Sequence, residues 1–361
     1  MISQNDYDYF LPEKNLALEP SVPRDSSKIF IYDTIVNKII FDHFYNLDKY
    51  LPKDSFMVMN NTKVLPARVT MKKESGGKVV VLLLVNEIVG NILPIIVDRK
   101  INVGEKIYFD QDNYLNVIDQ KDNIFKVKFN FSRKHLFDLL KKYGAMPIPP
   151  YLKKSTLTRD ELLKKYQTII AKTDGSSAAP TASLHFTDDV FKKLDKRGIK
   201  RLFVTLHVGM GTFAPITSEN IKEKKLHNEY YEVDNETLQS IKRLKSEEKK
   251  LVAVGTTVVR TLESEVQRRN FLSQRGPLHP ESEKNLSSSL HPTNLFIFPP
   301  YDFKMVDAMI TNFHLPKSSL MMLVEAFLQH KKAKRSLVEL YDIAIKNDFR
   351  FYSFGDAMVI I

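Results

Sequence analysis

Four short stretches of the chain carry residue types that could do chemistry. They are GSSAAPTASLHF (175–186), LHVGMGTF (206–213), GTTVVRTLES (255–264) and TNFHLPKSS (311–319). Each sets glycine, small or hydroxyl residues beside a histidine or a predicted helix start. Glycine lets a backbone take positive φ and lets a ligand approach the main chain closely. Unpaired N–H groups at a helix start attract an anion. In open α/β sheets, ligands sit beyond the carboxyl ends of the strands. Read singly, His185, His207 and His314 fit hydrogen-bonded core histidines as well as catalytic ones, and Thr256 and Thr257 fit plain helix caps. Gly209-Met210-Gly211 is only a GxG, with no third glycine and with Pro215 close behind, so a dinucleotide fingerprint is not met. Taken together, the four stretches are expected to converge on one crevice.

The elements that must position them follow a strand, turn, helix grammar. Residues 1–66 hold a polar arm and the strand-like runs KIFIYD, KIIFDHF and SFMVMN. After Gly144, the capping-box spacing Thr158-Arg159-Asp160-Glu161 predicts a helix through Tyr166. Thr187-Asp188-Asp189 caps another helix ending near Gly198. RLFVTLHVG, LVAVG and DAMITNFHL read as strands, and Pro316-Lys317-Ser318 opens a helix over SSLMMLVEAFL. This alternation predicts an α/β layer. Between Ala67 and about Asn130, six short runs are separated by turn residues without a helical pattern, which predicts a small antiparallel barrel or sandwich. RKHLFDLLKKY, closed by Gly144, predicts a short helix. The expected organisation is an α/β domain of residues 1–66 and 146–361 interrupted by a β-barrel domain of residues 67–145. Residues 267–294 are polar and turn-rich and read as a surface insertion.

Bulk composition removes several classes of function. The 361 residues contain no cysteine, so disulfides, thiolate nucleophiles, cysteine zinc sites and iron–sulfur clusters are out. The nine histidines show no paired ligand spacing, and no metal is expected. The N-terminus MISQNDYDYFLPEK lacks signal-peptide order, and the apolar run Val79–Val85 is too short to span a bilayer. A cytoplasmic protein is expected, monomeric because no long heptad pattern appears. Lys and Arg number 54 against 43 Asp and Glu, a net charge of +11, which suits a polyanionic partner. Solvated helical faces explain most of the basic runs. Lys141, Lys142, Tyr151, Lys153 and Lys154, around the stiff stretch MPIPPYLKK, instead combine cations with aromatic rings as RNA contact requires.

Over nearly its whole length the chain resembles the S-adenosylmethionine:tRNA ribosyltransferase-isomerase family of queuosine synthesis. The resemblance rests on YDYFLPEKNLAL, PRDSSKIFIYD, NNTKVLPARV, SGGKVVVLLL, GAMPIPPYLKK, YQTIIAKTDGSSAAPTASLHFT, TLHVGMGTFAPI, LHNEYYEV, AVGTTVVRTLES, LFIFPPYDFKMVDAMITNFHLPKSSLMMLVEAF and FYSFGDAMVI. It implies an α/β domain carrying an inserted β-barrel and no permanently bound cofactor. It implies transfer and isomerisation of the ribosyl part of S-adenosylmethionine onto a 7-aminomethyl-7-deazaguanine base at the tRNA wobble position. The products are epoxyqueuosine-tRNA, adenine and methionine.

That chemistry needs a base to remove a proton from the ribose carbon next to the sulfonium, a donor for departing adenine, and deprotonation of the incoming amine. The pool of acid–base groups is His185, His207, His227, Glu229 and His314, with His185 and His207 favoured; each such group is worth on the order of 10²–10⁴-fold. Expected S-adenosylmethionine contacts are Thr181, Gly209, Gly211, Thr212, Thr256, Thr257, Arg260 and Asn312, with the methionine carboxylate at the Thr256/Thr257 helix start and Arg260 one turn further in. Two departures stand out. Ser183 occupies the glycine position of the family's A-G-L-H-F pattern, and a left-handed backbone there would cost about 1–2 kcal/mol. Pro300 stands where proline–glycine is usual. Rival readings are an S-adenosylmethionine-dependent RNA methyltransferase, which should carry a glycine-rich loop after an early strand, and a non-catalytic RNA-binding module.

Overall fold

A computed structural model describes residues 4–209, 216–274 and 290–361. Strands are β1 (Lys28–Asp33), β2 (Lys38–His43), β3 (Ser55–Asn60), β4 (Thr62–Val64), β5 (Arg68–Lys73), β6 (Lys78–Leu83), β7 (Ile92–Val97), β8 (Lys106–Tyr108), β9 (Tyr114–Lys121), β10 (Ile124–Phe129), β11 (Thr173–Ser176), β12 (Lys200–His207), β13 (Lys225–Glu232), β14 (Lys250–Val254), β15 (His291–Leu295), β16 (Ala308–Asn312) and β17 (Ala357–Ile360). Nine of them form one mixed sheet in the order β15-β13-β12-β3-β14-β16-β17-β1-β2.

The middle of that sheet is parallel. β12 pairs with β3, β3 with β14, and β14 with β16, all in the same direction. Both faces of these strands are covered, so SFMVMN is buried at every position and the central strands read as continuous apolar runs rather than alternating ones. One core, under the helices Ser319–His330 and Leu337–Lys346, gathers Phe56, Val58, Met309, Phe313, Met321 and Phe327. The opposite face packs Met57, Met59, Val252, Val254 and Ile310 with Val190 and Leu194 of the helix Asp188–Lys196. The parallel arrangement sends the carboxyl ends of β3, β12, β14 and β16 to a single edge. Those ends are Asn60, His207, Val254 and Asn312.

The six runs between Ala67 and Asn130 close into an antiparallel barrel in the order β10-β7-β6-β5-β8-β9. Alternation along β5 turns Val69 and Met71 inward beside Val79, Val81 and Leu83 of β6, as the two-residue period of a strand requires. The helix Arg133–Tyr143, capped by Ser132, lays Leu136, Leu139 and Leu140 on this core. A Cβ at Gly144 would stand 1.7 Å from the Pro66 carbonyl oxygen. Only glycine therefore fits where the chain leaving the barrel passes the chain entering it. Arg68 and Ala145 exchange backbone hydrogen bonds at that crossing (3.2 and 2.7 Å).

Several elements differ from the sequence reading. The helix behind Thr158 stops at Lys165, with both halves of its capping box formed. The region 267–294 is not a surface insertion at its ends: the helix Thr256–Ser273 runs into it, and β15, which follows it, pairs with β13. Its middle, 275–289, lies outside the described residues. The helix Asn235–Ser246 and strands β13 and β17 went unread because their apolar positions are few or their lengths short. No described helix is long and apolar enough to cross a membrane.

Candidate active site

At the shared carboxyl edge lies a cleft lined by small residues and strand ends. One wall is Ala178-Ala179-Pro180-Thr181-Ala182, the small-residue stretch singled out in the sequence. The floor is Gly255-Thr256-Thr257, and the far wall is Thr311 to Leu315. Side chains of one or two heavy atoms leave the backbone as the lining surface, which is how the sequence makes room beside the strand ends. Gly255 holds φ at +93°, a region that costs other L-residues strain. It also caps the helix Thr256–Ser273 without a side chain, so the first N–H groups have no capping oxygen.

The histidines arrange themselves in layers behind this cleft. His314 is on the wall itself. Its Nε2 lies 3.3 Å from Thr311 Oγ1, its Nδ1 lies 3.3 Å from the Tyr341 hydroxyl, and its backbone N–H donates to that hydroxyl at 3.0 Å. His185 stands one residue deeper and reaches the cleft through Asn312. The Asn312 amide donates to His185 Nε2 at 3.1 Å, and Thr181 Oγ1 donates to the other end of the amide at 2.8 Å. With Nε2 accepting, the His185 proton sits on Nδ1 and donates to Ser27 Oγ at 2.9 Å. His207 ends β12 and pairs through Nδ1 with Thr62 Oγ1 at 2.8 Å. Gly175 backs its ring so closely that a Cβ would lie 2.8 Å from the imidazole.

Burial holds all three rings neutral at pH 7. It pulls His185 down to about 3, helped by the Arg350 and Arg24 charges, and pulls His314 down to about 3. His207 falls to about 4, through burial and the Arg133 charge. At pH 7 each ring is therefore in the form that can accept a proton or a hydrogen bond.

Glu229 and Arg260 form a buried ion pair, 2% and 6% exposed, and Glu229 also accepts the Gly209 N–H at 2.9 Å. Arg260 thus faces Glu229 rather than the cleft. Of the remaining S-adenosylmethionine candidates, Thr181, Thr256, Thr257 and Asn312 line the cleft. Gly211 and Thr212 lie outside the described residues. Gly209 and His227 line a second cleft between the barrel and β13. Val208 and Tyr151 line the first cleft, while their chain neighbours Gly209 and Pro150 line the second.

The basic candidates divide. Lys153 lines the second cleft. Lys141 lies 3.7 Å from Asp174, Lys142 sits over the Tyr143 ring, and Lys154 pairs with Glu13 at 2.9 Å. Tyr151 is half-buried in the first cleft's wall, against the Tyr352 ring and bonded to Ser353. It is not a free stacking platform. Tyr352 and Ser353 were missed in the sequence. Tyr352 holds φ at +73°, a conformation no composition signal announces in a bulky residue. Ser183 does not take a left-handed backbone: it sits in a short 3₁₀ turn, outside the positive-φ residues, so the expected strain is absent. Pro300 is exposed and follows a cis peptide, away from the cleft wall. Among the described residues, no group of three or more His, Asp or Glu side chains is placed to hold a metal.

Comparison with known proteins agrees with this architecture. Residues 4–360 match the family described as queuosine biosynthesis protein. An S-adenosylmethionine:tRNA ribosyltransferase-isomerase of Thermosipho melanesiensis is 42% identical over 99% of both chains, and one of Sulfurihydrogenibium sp. is 38% identical over 99% of both. The crystal structure of an S-adenosylmethionine tRNA ribosyltransferase from Thermotoga maritima covers 99% of this chain and 100% of its own, with 30% identity and a TM-score of 0.52. The chain belongs to the queuosine biosynthesis protein family.

Proposed function

We propose that this protein is a transferase-isomerase that moves the ribosyl part of S-adenosylmethionine onto the 7-aminomethyl-7-deazaguanine base at the wobble position of tRNA, yielding epoxyqueuosine-tRNA, adenine and methionine. The observation that carries the reading is the cleft at the strand ends, where an uncapped helix start, a backbone wall and a polar amide–histidine pair meet. S-adenosylmethionine lies in it with its carboxylate at the Thr256 and Thr257 N–H groups, where the helix dipole favours an anion. The adenosine packs on Ala178 to Ala182, where Thr181 and Asn312 offer polar contacts. His314, the acid–base candidate on the wall, takes the proton from the ribose carbon beside the sulfonium, exchanging its long 3.3 Å contact with Thr311 for the substrate. His185 acts through Asn312 as a positioning residue, and His207 supports the strand ends from behind.

The same reading divides the chain into an α/β domain, 1–66 with 146–361, and an inserted barrel, 67–145. It takes tRNA and S-adenosylmethionine as partners, no resident cofactor or metal, and a monomer acting in the cytoplasm. Incubation with S-adenosylmethionine and tRNA carrying the aminomethyl base tests it. Free adenine and methionine are expected. S-adenosylhomocysteine as product would mean methyl transfer instead, and tRNA binding without turnover would mean a binding module.

A further inference from the structure

Three charged side chains line the second cleft, Lys153, Glu87 and Arg68, and the last two sit on the barrel side of it. Glu87 and Arg68 are half-buried and face it together with the apolar Leu82, Leu84 and Ile148 and the rigid Pro147. Among the described residues, neither the Glu87 carboxyl nor the Arg68 guanidinium has a hydrogen-bond or ion-pair partner within its own chain. Burial raises the Glu87 carboxyl above its usual range, and the charge of His227 on the facing strand works against that rise. A carboxylate that has lost part of its water and gained no donor is destabilised, and an incoming cation relieves it. The setting also fixes which cation. Flat apolar surface and prolines suit a planar ring, the guanidinium suits a phosphate, and the chain segments Pro150-Tyr151 and Val208-Gly209 contribute neighbouring residues to the two clefts.

We propose that this second cleft receives the acceptor nucleotide, a purine-like ring bearing a primary alkylammonium, and that Glu87 reads the ammonium while Arg68 holds a flanking phosphate. The inference deepens the transferase reading and rests on it. An alkylammonium with a lysine-like pKa near about 10 is charged at pH 7, so Glu87 distinguishes the aminomethyl base from unmodified guanine by charge. A charge-assisted hydrogen bond in a partly dry site contributes about 1.5–3 kcal/mol, or about 10- to 100-fold.

The test compares binding of two tRNAs, identical except for the aminomethyl base or guanine at the wobble position, to the wild-type protein, Glu87→Gln and Glu87→Asp. Affinity for S-adenosylmethionine serves as the folding control. Wild type is expected to prefer the aminomethyl tRNA at least tenfold, Glu87→Gln to lose that preference, and both to keep their S-adenosylmethionine affinity. Should Glu87→Gln fail the folding control, Glu87→Asp decides, with a reduced preference expected. An unchanged preference in the folded variant overturns the inference while leaving the transferase reading intact. Wild-type protein that releases no adenine from S-adenosylmethionine with either tRNA overturns the reading beneath it.

Discussion

The buried histidines make the fold sensitive to acid in a way that one substitution isolates. His314 is buried on the cleft wall, and burial is the cause of its fall to about 3, whereas in an unfolded chain it titrates near about 6.5. A histidine with a depressed folded pKa leaves the unfolded state binding more protons at acid pH. Its contribution is therefore neutral above about pH 7 and increasingly destabilising as pH falls from about 6.5 towards 3. Between pH 7 and 4 the linkage integrates to about 3 kcal/mol, with a slope approaching 1.4 kcal/mol per pH unit. His314→Gln keeps the shape and a polar tip near Thr311 but removes the titration. Urea unfolding followed by far-ultraviolet circular dichroism at pH 7, 5.5, 4.5 and 4 should show the wild type losing about 3 kcal/mol relative to the variant across that range. In parallel, the His314 imidazole proton resonance in the native protein should not titrate above about pH 4. A stability difference that stays flat with pH, or a native titration near 6.5, refutes the burial argument.

Other outcomes follow from the same geometry. His314→Gln should lower turnover by about 10²–10⁴-fold while S-adenosylmethionine affinity, read by calorimetry, changes by only a few-fold. Gly175→Ala places a Cβ 2.8–3.0 Å from the His207 ring at a φ of +149°; thermal unfolding should fall by several degrees, about 1–3 kcal/mol. Arg260→Leu removes the guanidinium from the buried Glu229 carboxylate and should cost about 3–5 kcal/mol, part of it restored in the Arg260→Leu/Glu229→Leu double variant. Ser183→Gly should leave stability within about 1 kcal/mol and turnover within about twofold, because the serine backbone is unstrained.

The parts of this molecule written in local pattern were legible. Six alternating runs gave the barrel, and the caps at Thr158, Thr187 and Ser318 gave helix starts. The small-residue stretch and the glycine–threonine turn were visible as candidate site walls, since missing side chains are a signal in themselves. What depends on long-range pairing was not visible. The sequence cannot say that His185 stands behind Asn312, 127 residues away, or that Arg260 turns towards Glu229. Tyr151 read as an RNA platform because its neighbours are lysines, yet tertiary contact with Tyr352 draws it into the cleft wall. Glu87 escaped notice because its isolation exists only once the barrel meets β13.

The crystal structure of the protein soaked with S-adenosylmethionine measures the central claim most directly. Density for the nucleoside between Ala178–Ala182 and Asn312, with the methionine carboxylate at the Thr256 and Thr257 N–H groups, is the result predicted. A ligand seated elsewhere, with the strand-end cleft empty, contradicts it.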